Sequence, residues 1–382
     1  MQITNSSHKA KSNRNFYTLF SILLIILSPF AFLALMSLFL VCLTLLVPND
    51  SWNHYVSGGS FLSNSGTMSP DGEYLVFGSP KSGRGDLWRI RLKDSTLHQM
   101  TNSEDFETDP RYSPDGKSIF YVRERGGHRH IWKTDKEGQF HEQLTLGWVI
   151  DDLVDISPDG DSLILGRAYP QTGGLGIAVG STMIYSVSNK KFMEEDIGSR
   201  GYFLDDRTLL YNTRYGAGEK IIRFGKYDLV SRQKKILGTG FIECLAPNKK
   251  IVCISKGQDR SFLNRELVLF DLDQQVEYRI GMGRYPCFVD DSQVFFVRSS
   301  PNKAYTYSLE NGTIEEIDLP GAILTTPAAA TNERGVLLRL VSKNDRDRSG
   351  NIYLFHDNGI ICLTNYGKKP VEEGKIEARS DR

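Results

Sequence analysis

Residues 101–116 read TNSEDFETDPRYSPDG, and the last four letters recur: Ser-Pro-Asp-Gly stands at 69–72, 113–116 and 157–160, one copy every 44 residues. A repeat of that period has to be read before any single element, because each copy is one unit of supersecondary structure. The tetrapeptide is a tight turn. Pro70 presets φ at the second position, Asp71 tolerates the third, and Gly72 takes the positive φ that follows a type I turn. A short apolar run follows each copy: Tyr74–Phe77, Ile119–Val122 and Leu163–Leu165.

Weaker copies continue in register. Leu204–Arg207, Ala246–Lys249, Val289–Ser292 and Asn332–Gly335 each precede an apolar run, at steps of about 42–46 residues, the span of one supersecondary repeat. Aromatic-bearing strands recur later in the units, around Trp88, Trp132, Tyr185, Tyr227, Phe270, Tyr307 and Phe355. A last short strand closes each unit, as at Leu97–Thr101 and Phe140–Thr145; the third, near Phe192–Ile197, is the faintest. Short strands about ten residues apart, with no helical period between them, predict an all-β chain of four-stranded meanders. One meander cannot bury both of its faces. Packed radially, seven bury one another and leave only short edges, which is a β-propeller over residues 57–366. An open solenoid would need polar capping repeats, and none is present. Six or eight blades follow if a weak copy is miscounted.

The stretch from Thr101 to Gly116 resembles the inter-blade signature of TolB-type (WD40-like) propeller repeats, in which a threonine ends one blade and D-P-x-x-S-P-D-G opens the next. Ile119–Val122 and Ile131–Trp132 match as well. The resemblance is specific over the first three units and patchy over the remaining four. It implies a propeller with a binding role. Such repeats also accompany prolyl-oligopeptidase-like hydrolases and occur in oligogalacturonate lyases, and the latter resemblance would require a histidine-rich metal centre.

At 382 residues the chain exceeds the usual single-core limit of roughly 250–300, which a modular ring can do. Its 46 basic and 46 acidic side chains cancel, so no global field favours nucleic acid. Residues 16–47 carry no charge. A bilayer core needs ~20 helical residues, so this run predicts a transmembrane anchor, with Pro29 kinking it and Phe30–Val47 as the principal span. Lys9, Lys11 and Arg14 precede it, and the next Lys or Arg is Lys81. Positive charge stays inside, so residues 1–15 are expected to be cytoplasmic. Residues 48–56 form a linker, the propeller is extracytoplasmic, and 367–382 form a charged tail with no apolar period. The run is too long for a cleaved signal peptide and lacks a small-residue cleavage site.

Motifs of chemistry are scarce. No G-x-S-x-G elbow, P-loop or C-x-x-C occurs, and Gly174–Gly180 misses the glycine spacing of a dinucleotide site. The expectation is no catalytic residue, no cofactor and no metal. His128 and His130 share a strand face near His141, yet a metal centre needs three or more converging ligands. Asp105, Glu107, Asp109, Asp151, Asp152 and Asp155 offer carboxylate pairs of the kind glycosidases use. The register of Asp109 and Asp155 within the repeat favours turn residues bonding to backbone. Cys244 and Cys253 flank one turn, where an extracytoplasmic disulfide between them is open; the reading favours isolated thiols.

Loops on a rigid scaffold carry function. In a meander, the inter-blade connections and the loops between second and third strands share one face. There the segments 123–130, 169–181, 215–220, 257–264 and 343–350 are long and mixed, and the candidate binding residues are Arg125, His128, His130, Tyr169, Leu175, Ile177, Tyr215, Arg260 and Arg346. The expected partner is a protein, peptide or glycan. The alternative is a carbohydrate-active lyase or hydrolase using the central pocket.

Overall fold

The second strand of each unit is apolar on both faces, and that decides how the units pack. In the run Tyr74–Ser79, Leu75 and Phe77 point one way and Val76 the other, the period-2 alternation of a strand. Both sides are dry, with Leu75, Val76 and Phe77 fully buried.

A computed structural model describes residues 66–79, 85–169, 181–194, 197–213, 221–257, 265–299, 302–323, 328–329, 335–341, 351–356 and 359–364. The chain divides after Gly58, and all of these residues belong to the second unit. The apolar run 16–47, its basic flank and the tail 367–382 lie outside the described residues. Among those described, no helix is long and apolar enough to cross a membrane.

The described elements are strands alone, in successive antiparallel meanders. The first runs Thr67–Met68, Tyr74–Ser79, Asp86–Arg91 and Leu97–Gln99; the second Phe106–Tyr112, Ser118–Arg125, His128–Asp135 and His141–Gln143. The third is Ile150–Ile156, Ser162–Ala168, Ser181–Ser186 and Lys191–Glu194; the fourth Arg200–Phe203, Thr208–Asn212, Arg223–Asp228 and Lys234–Thr239. The fifth comprises Phe241–Leu245, Ile251–Lys256, Arg265–Asp271 and the start of Glu277–Phe288, whose far half opens the sixth with Gln293–Ser299, Asn302–Ser308 and Ile314–Ile317. Ala322–Ile323, Ala328–Ala329, Val336–Val341, Asn351–His356 and Gly359–Cys362 make the last.

Apolar clusters sit between neighbouring meanders rather than within one. Val76 and Leu87 meet Ile119 and Tyr121 of the second meander. Phe120 and Val122 meet Leu163 and Leu165 of the third. Leu75, Phe77 and Ile90 meet Leu337 and Ile352 of the last, so the first and last described meanders share a core. Fully burying one such side chain contributes about 1.5–3 kcal/mol. Trp88, Trp132, Tyr185 and Tyr227 belong to these clusters, as packing residues.

Two local devices recur. At each Ser-Pro-Asp-Gly the glycine N–H donates to the serine carbonyl, as Gly72 to Ser69 at 2.9 Å, and Gly72, Gly116 and Gly160 have φ of 74°, 70° and 78°. Asp71 Oδ1 accepts from the Glu73 N–H at 2.9 Å, and the Ser69 hydroxyl bond holds that carboxyl below its usual range, with the Glu73 bond adding to the effect. The second device is the terminal threonine. Oγ1 of Thr101, Thr145 and Thr364 accepts from the N–H of Leu87, Ile131 and Ile352 at 2.8, 2.9 and 2.8 Å, fastening the outer strand to the third.

Candidate functional site

Turns and connections lie at opposite ends of the strands. The turns pack on one another: the Asp159 N–H donates to Asp206 at 2.9 Å, and Asn248 N–H to Asp291 at 2.8 Å. At the other end, the 125–128 hairpin meets the connection between the second and third meanders. The His128 and Trp148 rings lie 4.7 Å apart at 61°, and His130 Nε2 is 2.9 Å from the Gly147 carbonyl.

Below this end runs a lattice of paired charges. Within the second and third meanders, one register position holds Glu107 opposite Arg123 and Asp151 opposite Arg167. Arg167 grips Asp151 with Nε and Nη2 at 2.7 and 2.8 Å and stacks its guanidinium on Phe192 at 4.2 Å. Arg123 Nε reaches Asp105 at 2.7 Å and Glu107 at 3.4 Å, over the Trp132 ring. Arg129 bridges Asp109 at 3.1 Å and Asp152 at 2.9 Å. Burial works against its charge, but the two carboxylates outweigh that and keep it a cation. Asp109 has φ of 51° at a bulge, immediately before Pro110, a conformation that aims its carboxylate at Arg129. Asp109 thus has an arginine partner in addition to its place in the repeat. Tyr285, also before a proline and at a bulge, repeats that backbone with φ of 53°.

Glu107 stands apart. It is 1% exposed, and burial lifts its carboxyl to about 7, with Asp86 and Asp105 pushing the same way against the Ser103 hydroxyl and Arg123. A carboxyl at that value is suited to proton transfer, but this one is enclosed by Ser103, Thr101 and Arg123.

Closer to the axis, the inner strands are stitched from one meander to the next. Thr67 Oγ1 accepts from Tyr112 N–H at 3.4 Å, Asp155 Oδ2 from Phe203 N–H at 2.7 Å, and Tyr202 donates its hydroxyl proton to the Glu243 carbonyl at 3.1 Å. Asp155 thus bonds to backbone, as its place in the repeat implies. Burial raises its carboxyl above the usual range, with the Phe203 bond opposing. Among the described residues, no three His, Cys, Asp or Glu side chains are placed to hold a metal. Cys244, Cys253, Cys287 and Cys362 are free thiols.

The structure places four of the candidate residues on the connection end. Arg125, His128 and His130 sit around one hairpin, with Arg125 exposed and 3.6 Å from Asp105; Tyr169 is 52% exposed at the end of Ser162–Ala168. Leu175, Ile177, Tyr215, Arg260 and Arg346 lie outside the described residues. The sequence reading missed Leu146 and Trp148, which are 72% and 76% exposed. The available signal was that Leu146-Gly147-Trp148 fills a connection whose counterpart, Asn102-Ser103-Glu104, is polar.

Residues 53–195 match the family model described as TolB beta propeller domain, so this stretch carries TolB-type repeats. The chain is similar in structure to the beta-propeller domain of the Trilobed protease from Pyrococcus furiosus: 16% identity, 81% of this chain and 99% of that one, TM-score 0.57. It is also similar to an oligogalacturonate lyase solved in complex with manganese, at 12% identity over 72% of this chain and 84% of that one, TM-score 0.56. TolB from Acinetobacter baumannii aligns at 15% identity with TM-score 0.47 over 64% of this chain, which spans 63% of that protein. At such identities the likeness is one of fold. No curated protein matches the sequence.

Proposed function

We propose that this chain is a seven-bladed, TolB-type propeller, tethered to a membrane by residues 16–47, that presents its connection end outside the cytoplasm to a protein, peptide or glycan. Each antiparallel meander is one blade in this reading. The observation that carries it is the exposed pair Leu146 and Trp148, the latter set against His128 on a hairpin whose neighbouring charges are engaged with one another. Large apolar side chains left in water on a rigid support are the anchors an interface uses. The test places a photoreactive side chain at position 148, or at Lys117 on the turn end, in cells. A discrete adduct from 148 and none from 117 supports the reading; adducts from both or neither overturn it.

A second reading, a carbohydrate-active lyase or hydrolase, starts from the carboxylates Asp105 and Glu107 gathered around Arg123, where burial lifts Glu107 to about 7. It expects cleavage of acidic or neutral oligosaccharides, with or without added manganese, that Glu107→Gln abolishes. Absence of turnover by the unaltered chain removes it.

A further inference from the structure

Two residues before each turn, the inner strands repeat one kind of cross-strand pair: Thr67 opposite Val76, Arg111 opposite Phe120, Asp155 opposite Ile164 and Tyr202 opposite Leu210. In each of these the partner on the second strand is a hydrocarbon side chain. The fifth meander departs from the pattern, because the same place holds Cys244 opposite Cys253. Both side chains join one apolar cluster, in which Phe288, Val294 and Phe296 of the sixth meander pack with Cys253. Cys244 is half-buried and Cys253 buried, and both are thiols.

The spacing suits a covalent bond. The Ala246 N–H donates to the Ile251 carbonyl at 2.8 Å, and two positions further along the ladder Cys244 and Cys253 fall in the same, hydrogen-bonded kind of pair. The Cα atoms of such a pair stand ~5.5 Å apart, inside the roughly 4.4–6.8 Å that a disulfide spans. The register slips at Glu243, so one extra residue precedes Cys244 and lets its strand bend to draw the two Cβ atoms together. Cys287 is placed otherwise: it lies opposite Phe295 and packs with Val336 and Leu338 of the last meander. Register therefore gives Cys253 one cysteine partner.

We propose that Cys244 and Cys253 are a modification site, joined by a disulfide when the chain meets a disulfide donor, which fastens the first two strands of the fifth meander to each other. The Cys244 thiolate attacks one sulfur of the donor, forming a mixed disulfide and releasing the donor's other sulfur as a thiolate. The Cys253 thiolate then attacks the Cys244 sulfur and releases the rest of the donor. The two protein thiols lose two protons and two electrons, and the donor is reduced to two thiols. Burial, and then the Cys253 thiol beside it, push the Cys244 thiol up, so little thiolate exists once the sixth meander is in place. Exchange accordingly belongs to the folding chain, and the finished bond is shielded from reductants.

For the test, the full chain is reduced and unfolded in urea and detergent, then refolded in a mixture of oxidised and reduced glutathione. The folded, monomeric fraction is denatured, alkylated, digested with trypsin and read by mass spectrometry. Cleavage at Lys249 and Lys250 separates the two cysteines, so the bond appears as a crosslinked pair of peptides. That pair should dominate, with Cys287 and Cys362 alkylated, and it should be absent from Cys253→Ser. A link between Cys244 and Cys287 overturns the proposal, and so does a folded chain in which Cys244 and Cys253 are both alkylated. Dithiothreitol should open the bond about tenfold or more slowly in the native chain than in urea, since the sulfurs are enclosed. Equal rates overturn the proposal as well, by placing the bond outside the cluster.

Discussion

The guanidinium of Arg339 donates to the carbonyl oxygen of Gly78 at 2.6 Å, joining residues 261 positions apart. The bond crosses from the last meander to the first, beside the apolar cluster the two share. A hydrogen bond from a charged donor contributes about 1.5–3 kcal/mol, and this one is part-buried. Arg339→Met should lower the free energy of urea unfolding by about that amount, and an unchanged midpoint would show the closure to be apolar alone.

Asp155→Ala should cost about 1–3 kcal/mol, because the buried Phe203 N–H loses its acceptor. Asp155→Asn keeps an oxygen there and removes a carboxyl that burial already disfavours as an anion, so it should cost much less. Thermal denaturation of the two variants side by side checks the order; equal losses would mean that the charge, not the bond, matters.

Thr145→Val should cost about 1–2 kcal/mol, and Thr145→Ser very little. The hydroxyl accepts from Ile131 N–H in a buried setting, and valine keeps the shape while removing the acceptor. Hydrogen exchange at Ile131 gives a local readout, with faster exchange expected in the valine variant alone.

Glu107 makes stability depend on pH in a direction opposite to that of most carboxylates. Its carboxyl sits near 4.5 when unfolded and about 7 when folded, so the folded chain binds more protons between those values. The contribution is complete below pH 4.5 and is lost as pH rises through 7, amounting to about 3 kcal/mol. Glu107→Gln should match the unaltered chain at pH 4 and exceed it at pH 8.5 in urea denaturation. A constant difference between the two would refute the assignment.

Trp148→Ala should leave the unfolding free energy within about 0.5 kcal/mol, since the indole is 76% exposed. Photo-adducts formed from position 125 should nevertheless disappear. Retained adducts would move the interface away from the tryptophan.

The turn and strand pattern was legible because both are local. Gly72, Gly116 and Gly160 adopt the φ their tetrapeptide demands, and uninterrupted runs such as Ile119–Val122 are dry on both faces. The charge lattice was not legible to the same degree. Arg167 and Asp151 lie 16 residues apart and meet only through register, while Asp109 finds Arg129 only because a bulge turns it. Trp148 escaped notice because one aromatic in a connection reads as packing until its solvent exposure is known. The proposed anchor at 16–47 rests on hydropathy and charge asymmetry alone.

Among the described residues, the face of Tyr74–Ser79 that carries Leu75 and Phe77 packs on Leu337 and Ile352 of the last meander, with Leu354 and Leu363 against the same cluster. A ribosome adding ~5–20 residues per second needs roughly 15–50 s to proceed from one to the other. Throughout that interval the newborn chain displays two bare aromatic and aliphatic side chains on its opening sheet. Until Ile352 has been made, the first meander lacks the partner that completes the cluster around Leu75 and Phe77, so the seam between first and last meanders is expected to form last.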